Sequence, residues 1–146
     1  MAHIVIIGAG LGGMSAAYEL RETLGATHQI TLVGDGDLFS FTPSNPWVAV
    51  GWREPADITL PAAEYLAKKD ITFLPNPVTE LLAAEKTVVT RAGQRIAYDY
   101  LLVCTGPKLA FEEVPGLGPS PGHTQSVCTT PHATSAWAAY QNFLAN

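Results

Sequence analysis

Residues 3–14 read H-I-V-I-I-G-A-G-L-G-G-M, and this stretch decides the fold of the chain. Its first five residues are apolar and rich in β-branched side chains, which predicts a buried parallel strand. Apolar side chains then recur at helical spacing from Met14 to Leu24, ahead of Gly25 as a C-cap. A second apolar run, Gln29–Val33, completes a β-turn-α-β unit, which implies a right-handed parallel crossover. We therefore predict an α/β fold with a Rossmann-like parallel sheet.

The glycine-rich turn between strand and helix has the spacing G-x-G-x-x-G, which is typical of a dinucleotide site in this context. Gly8 permits the tight turn, Gly10 lets the backbone approach a pyrophosphate, and Gly13 lets the helix pack close to the strand. The helix N-terminus offers free N–H groups and a partial positive charge to the anion. A glycine-rich turn without a ligand is the alternative. The candidate phosphate-binding residues are Gly8, Ala9, Gly10, Gly12 and Gly13.

An acceptor for the ribose hydroxyls is expected where the second strand ends. That position is Gly34, and a carboxylate follows one place later at Asp35, with Asp37 as the second choice. Both aspartates are also residues that form turns, and this alternative stays open. We therefore predict a ribose site at Gly34 and Asp35.

The remaining chain predicts a small antiparallel meander inserted between parallel strands. Residues 34–54 show no regular period and are rich in aromatic side chains, which predicts a long ordered loop. A short helix is expected over Asp57–Lys69 with Pro61 in its first turn, and a final helix over Ala133–Leu144. The further predicted strands are Ile71–Leu74, Val78–Leu82, Thr87–Thr90, Arg95–Ala97 and Tyr100–Cys104.

Composition excludes several classes of protein. The 146 residues are 47% hydrophobic and 14% charged, which excludes a disordered chain. The formal net charge is −5 without a basic patch, so nucleic acid is not an expected partner. No run of about 20 apolar residues is present, and the start lacks the basic region of a signal peptide. With only two cysteines, we expect a reducing, cytoplasmic location for this chain.

A second motif, Y-D-Y-L-L-V-C-T-G at residues 98–106, ends a buried strand in Thr105-Gly106. Together with the glycine-rich turn it resembles the flavoprotein reductases of the pyridine nucleotide-disulphide oxidoreductase superfamily. The resemblance implies a FAD-binding domain, with FAD at the glycine-rich turn and at Thr105 and Gly106.

Three further stretches resemble the sulfide:quinone oxidoreductases: F-T-P-S-N-P-W-V-A-V-G-W at 41–52, T-G-P-K-L-A-F at 105–111, and Q-S-V-C-T at 125–129 with P-H-A at 131–133. This resemblance implies sulfide and quinone as partners and places Thr42 and Pro43 on the flavin side. It places Cys128 near the sulfide and gives His132 a role in proton movement, since an imidazole titrates near neutrality. A buried small residue is the alternative for Cys128, and a solvent-facing position in the last helix is the alternative for His132.

Members of that family are several hundred residues long. We therefore expect residues 1–115 to be the first segment of a truncated FAD-binding domain, and 116–146 to be a linker and helix leading to a second dinucleotide-like domain. The family uses two further redox cysteines, so this chain is expected to be inactive alone. The family also uses amphipathic helices on a membrane surface, so the longer parent protein is expected to be a peripheral membrane protein. An uncovered sheet edge favours self-association. The alternatives are a flavocytochrome sulfide dehydrogenase, an NAD(P)H-dependent flavin reductase, and a nucleotide-binding module without catalysis.

Overall fold

The computed structural model describes residues 1–145, which form two compact units. The first unit contains Met1–Phe39 and Pro61–Gly106, and the second contains Ser40–Leu60 and the residues from Pro107 on. These units differ in their boundaries from the predicted segments 1–115 and 116–146. Those segments describe the place of the chain in a longer protein, and they stay a prediction.

Nine strands and four α-helices are present in the described residues. The strands are β1 (His3–Ile7), β2 (Gln29–Val33), β3 (Leu38–Ser40), β4 (Thr59–Pro61), β5 (Thr72–Leu74), β6 (Val78–Leu82), β7 (Thr87–Thr90), β8 (Arg95–Ala97) and β9 (Tyr100–Val103). The helices are α1 (Leu11–Leu24), α2 (Asn45–Ala49), α3 (Ala62–Ala67) and α4 (Thr130–Ala145). Short 3-10 turns lie at Gly25–Thr27, Thr42–Ser44, Pro55–Ile58, Ala83–Glu85 and Phe111–Glu113.

A four-stranded parallel sheet forms the centre of the first unit, in the order β5-β2-β1-β9. Alternate side chains of β1 face opposite sides of this sheet. Ile4 and Ile6 pack with α1 and α3 residues such as Met14 and Leu66, whereas Val5 and Ile7 pack with the meander. Both faces are covered, which is why β1 is apolar from Ile4 to Ile7 without alternation, and why the polar Thr31 of β2 is buried as well.

The predicted α/β fold is confirmed, with a parallel sheet and an antiparallel meander formed by β6, β7 and β8. Three boundaries differ from the prediction. Helix α1 begins at Leu11, because Gly10 is already its N-cap. Helix α4 begins at Thr130, because the preceding Thr129 accepts the His132 N–H at 3.2 Å. Strand β9 ends at Val103, one residue early.

The single helix predicted over Asp57–Lys69 is wrong. A 3-10 turn at Pro55–Ile58 and strand β4 occupy its first part, and α3 begins only at Ala62. Pro61 is the N-cap of α3 with extended backbone, at φ −68° and ψ 109°, and does not lie in the first turn. The residue before a proline is disfavoured in the α region, which explains why the helix cannot start earlier. The predicted loop at residues 34–54 also contains β3 and α2.

The second unit is built around the packing of α2 with α4. Val48, Ile58 and Ala133 form its buried cluster. Gly51 has φ +72°, and a Cβ at this position would overlap the Trp137 ring, so a side chain here would separate the two elements. Among the described residues, no helix is long and apolar enough to cross a membrane.

Candidate functional site

The candidate nucleotide site lies at the carboxyl edge of the parallel sheet. Because β1, β2 and β9 are parallel, the residues that follow them meet at one edge. The Gly8 N–H donates to the Val33 carbonyl at 2.8 Å, and the Cys104 N–H donates to the Ile7 carbonyl at 2.7 Å. The glycine-rich turn is therefore held between the end of β2 and the end of β9.

Two glycines of the turn are required by the fold itself. Gly8 has φ +102°, and a Cβ there would overlap the Cys104 carbonyl group. A Cβ on Gly13 would overlap the Gly8 carbonyl oxygen and would lie 3.3 Å from Leu32 Cδ1. Any larger residue at either position would push the helix, the turn and β9 apart.

Gly10 differs from these two glycines. Its backbone is extended, at φ −82° and ψ −168°, and a Cβ there would meet no atom within 4 Å. Gly10 is the N-cap of α1, no side chain of residues 1–145 caps the helix, and its first turn holds no acidic residue. Gly12 is also exposed, and a Cβ there would be 4.0 Å from Cys104 Cβ. The positive end of α1 is thus open to an anion, and the fold does not require glycine at position 10.

The remaining candidates of the first unit line the same edge. A Cβ on Gly34 would come within 2.9 Å of Ala9 Cβ, so the end of β2 touches the glycine-rich turn. Asp35 follows with an exposed carboxylate, and its Oδ1 lies 3.8 Å from Nη1 of Arg91. Thr105 and Gly106 are exposed immediately beyond Cys104, at the end of β9. The arrangement offers backbone N–H groups for an anion and a carboxylate for hydroxyl groups.

In the second unit, Thr42 and Pro43 lie exposed in the 3-10 turn Thr42–Ser44. The next residues, Ser44 and Asn45, are completely buried. Ser44 Oγ accepts a hydrogen bond from Arg53 at 3.1 Å, while Asn45 Oδ1 accepts one from the Thr130 hydroxyl at 3.1 Å. Asn45 Nδ2 is buried without a hydrogen-bond partner in the described residues. This loop is therefore fixed to the start of α4.

Cys128 and His132 flank the start of α4. Cys128 is exposed, and its N–H donates to Ser126 Oγ at 3.2 Å. The His132 ring is half-buried against Phe111, with 5.6 Å between ring centroids, and its Nδ1 is buried without a partner in the described residues. No hydrogen bond joins the Cys128 thiol to this ring in residues 1–145. The thiol is accessible to a solute, and the imidazole is partly shielded from water.

The family model of the pyridine nucleotide-disulphide oxidoreductases matches residues 2–139. The chain belongs to this family. Pyridine nucleotide-disulphide oxidoreductases are flavoproteins, and the glycine-rich turn, β9 and the meander of this chain lie within the matched residues. The resemblance to a sulfide:quinone oxidoreductase is also confirmed by individual relatives.

The sulfide-quinone reductase of Aquifex aeolicus is 39% identical over 144 residues, which cover 99% of this chain and 32% of that protein. A crystal structure of the A. aeolicus sulfide:quinone oxidoreductase matches with a TM-score of 0.90, over 100% of this chain and 33% of that chain. The mitochondrial sulfide:quinone oxidoreductase of Dictyostelium discoideum is 31% identical over 117 residues, covering 80% of this chain and 26% of that protein. The chain thus spans about a third of the length of these relatives.

Two features of the candidate site are not indicated by any pattern in the sequence. Arg91 lies in the turn between β7 and β8, beside Asp35, and no motif marks it. Asn45 lies within a quoted motif, but nothing in the sequence indicates its hydrogen bond to Thr130, 85 residues away. The described residues contain no group of three or more His, Cys, Asp or Glu that could hold a metal ion.

Proposed function

We propose that this chain binds FAD as part of a sulfide:quinone oxidoreductase. The observation that carries the proposal is the open N-terminus of α1 at Gly10, within a turn that is fixed between Gly34 and Cys104. The 39% identity to the sulfide-quinone reductase of A. aeolicus over 99% of the chain favours sulfide and quinone as the substrates.

The chain's own residues fit a dinucleotide in three respects. The N–H groups of the first turn of α1 bind the pyrophosphate, since no side chain in the described part of the chain caps them. Asp35 accepts hydrogen bonds from the ribose hydroxyls. Thr105 and Gly106 allow backbone to approach the cofactor at the end of β9. Thr42 and Pro43 are assigned to the flavin side by the resemblance to the family.

FAD, when bound, supplies a two-electron acceptor between sulfide and quinone. The exposed Cys128 thiol would lie on the sulfide side of the site. An S–S bond between its thiolate and the sulfide sulfur would form only with the loss of two electrons and a proton, and bound FAD would be the acceptor of that electron pair before the quinone takes it. His132 holds or moves a proton at Nδ1, which is buried and free of a protein hydrogen bond among the described residues. The overall reaction oxidises sulfide by two electrons and reduces the quinone to a quinol with two protons.

The isolated chain is proposed to bind FAD without catalysing this reaction. The family uses two redox cysteines besides the one at Cys128, whereas this sequence holds only Cys104. Cys104 is half-buried against the core of the first unit, so it fits a packing role. The parent protein is proposed to lie on a membrane surface. Self-association through the edge strand β9 is proposed because Tyr100 and Val103 are 64% and 62% exposed.

A titration of FAD into the purified 146-residue chain tests the proposal. Flavin fluorescence and retention through a desalting column report on binding, and reduction of a quinone by sulfide reports on turnover. Stoichiometric binding without turnover is the expected result. Failure to bind FAD or ADP at millimolar concentration would overturn the nucleotide assignment.

A further inference from the structure

Arg91 is an arginine that the proposed function does not use, and its backbone is firmly anchored. It lies in the turn from β7 to β8, where its N–H donates to the Pro77 carbonyl at 2.9 Å. The following Ala92 N–H donates to Asn76 Oδ1 at 3.2 Å, and the turn is closed by a hydrogen bond from the Gly93 N–H. The guanidinium therefore extends from a fixed point.

Arg91 lines a cavity of about 460 Å³ at the carboxyl edge of the parallel sheet. Asp35, Gly36, Asn76 and Pro77 also line this cavity. A volume of this size lies in the range of ligand sites, which is about 300–1,000 Å³. The cavity adjoins Gly34, the residue that touches the glycine-rich turn.

The pair formed by Arg91 and Asp35 does not stabilise the fold appreciably. The two side chains are 67% and 72% exposed, and their charged atoms lie 3.8 Å apart. Such a pair in water adds little to the free energy of unfolding, since solvent screens the two charges and both side chains lose freedom. The attraction between the two charges becomes stronger when a ligand covers the pair, because the effective dielectric constant falls as water leaves.

We propose that Arg91 is a positioning residue for the adenosine end of the dinucleotide, acting through Asp35. The guanidinium holds the Asp35 carboxylate beside the cavity, in the orientation that accepts the ribose hydroxyls. It also offsets the repulsion between this carboxylate and the negatively charged pyrophosphate, in a chain whose formal net charge is −5. This inference rests on the proposed function, because it takes the cavity to be a nucleotide site.

ADP is the probe that separates this inference from flavin chemistry, with calorimetry on the full 146-residue chain as the readout. Arg91→Met is expected to weaken ADP binding by about fivefold to tenfold. Arg95→Met is the matched control, because Arg95 is exposed on the same meander and pairs with Glu85 at 2.6 Å, away from the cavity. It removes the same charge and is expected to leave the ADP affinity within twofold of the wild type. Arg91→Lys, which keeps the charge, should recover most of the loss.

A second pair of variants distinguishes positioning from direct contact. If Arg91 acts through Asp35, Arg91→Met should have no further effect on ADP affinity in an Asp35→Asn background. Additive losses would mean that Arg91 touches the nucleotide itself, and they would overturn the inference. Equal ADP affinities of the Arg91→Met and Arg95→Met variants would overturn it as well, while leaving the proposed function intact. A wild-type chain that binds neither ADP nor FAD would overturn both.

Discussion

Two glycines in the same turn are expected to respond in opposite ways to a side chain. Gly10→Val adds a side chain where a Cβ has no neighbour within 4 Å and the backbone is already extended. Gly13→Ala adds a single methyl group that would overlap the Gly8 carbonyl oxygen. The first variant should therefore fold and lose the cofactor, and the second should lose stability.

The magnitudes follow from the contacts. Valine is a poorer N-cap than glycine, which costs about 1 kcal/mol for Gly10→Val. Its side chain keeps the pyrophosphate from the N–H groups of α1, and two charge-assisted hydrogen bonds at about 1.5 kcal/mol each amount to about 3 kcal/mol, or a dissociation constant about 150-fold higher. For Gly13→Ala, overpacking against backbone costs about 3 kcal/mol, and the better helix propensity of alanine offsets about 1 kcal/mol of it.

Two measurements on each variant test this contrast. Urea denaturation followed by circular dichroism gives the free energy of unfolding, and flavin fluorescence gives the dissociation constant for FAD. The free energy of unfolding of Gly10→Val should lie within about 1 kcal/mol of the wild-type value, and the variant should bind FAD about 150-fold more weakly. Gly13→Ala should lose about 2 kcal/mol of stability.

The reasoning fails if Gly10→Val binds FAD as tightly as the wild type, because the open helix end would then not be the phosphate site. It fails in a different way if Gly10→Val is as unstable as Gly13→Ala. In that case the turn would be sterically closed at both positions, contrary to the contacts of the two glycines.

Three other predictions concern polar and thiol groups. Arg21 is buried and donates to three backbone carbonyl oxygens at 2.7–3.1 Å. Arg21→Met should therefore lower the free energy of unfolding in urea by about 3 kcal/mol, and a loss below about 1 kcal/mol would contradict this. Thr130→Val removes the hydroxyl that donates to Asn45 Oδ1 and should lower the free energy of unfolding by about 1.5 kcal/mol, whereas Thr130→Ser should cost little. Equal losses in thermal unfolding would refute the role of the hydroxyl. A maleimide reagent should label Cys128 about tenfold faster than Cys104, because Cys128 is exposed and Cys104 packs on the core. Equal labelling rates by mass spectrometry would contradict this difference in exposure.

The parallel sheet and the meander were predictable because their signals are local. Residues 4–7 are all apolar, and residues 30–33 are apolar except for Thr31; strands buried on both faces are rich in such residues. The helix predicted over Asp57–Lys69 places Pro61 in its first turn, but a proline biases the residue before it towards extended backbone, and the helix begins only after Pro61. The helix α4 was predicted to begin three residues late, because the cap at Thr129 lies among polar residues without apolar spacing.

The meeting of the candidate site residues at one edge of the sheet is predictable for the same reason as the sheet. Gly8, Gly34 and Thr105 each follow a strand, and parallel strands bring such residues to one edge whatever their side chains are. Side-chain pairing has no comparable rule. Asn45 with Thr130, and Asp35 with Arg91, are separated by 85 and 56 residues, and polar partners have no period along the chain. The sequence therefore predicts where backbone geometry builds a site, whereas the polar side chains that orient it become visible only when the chain is folded.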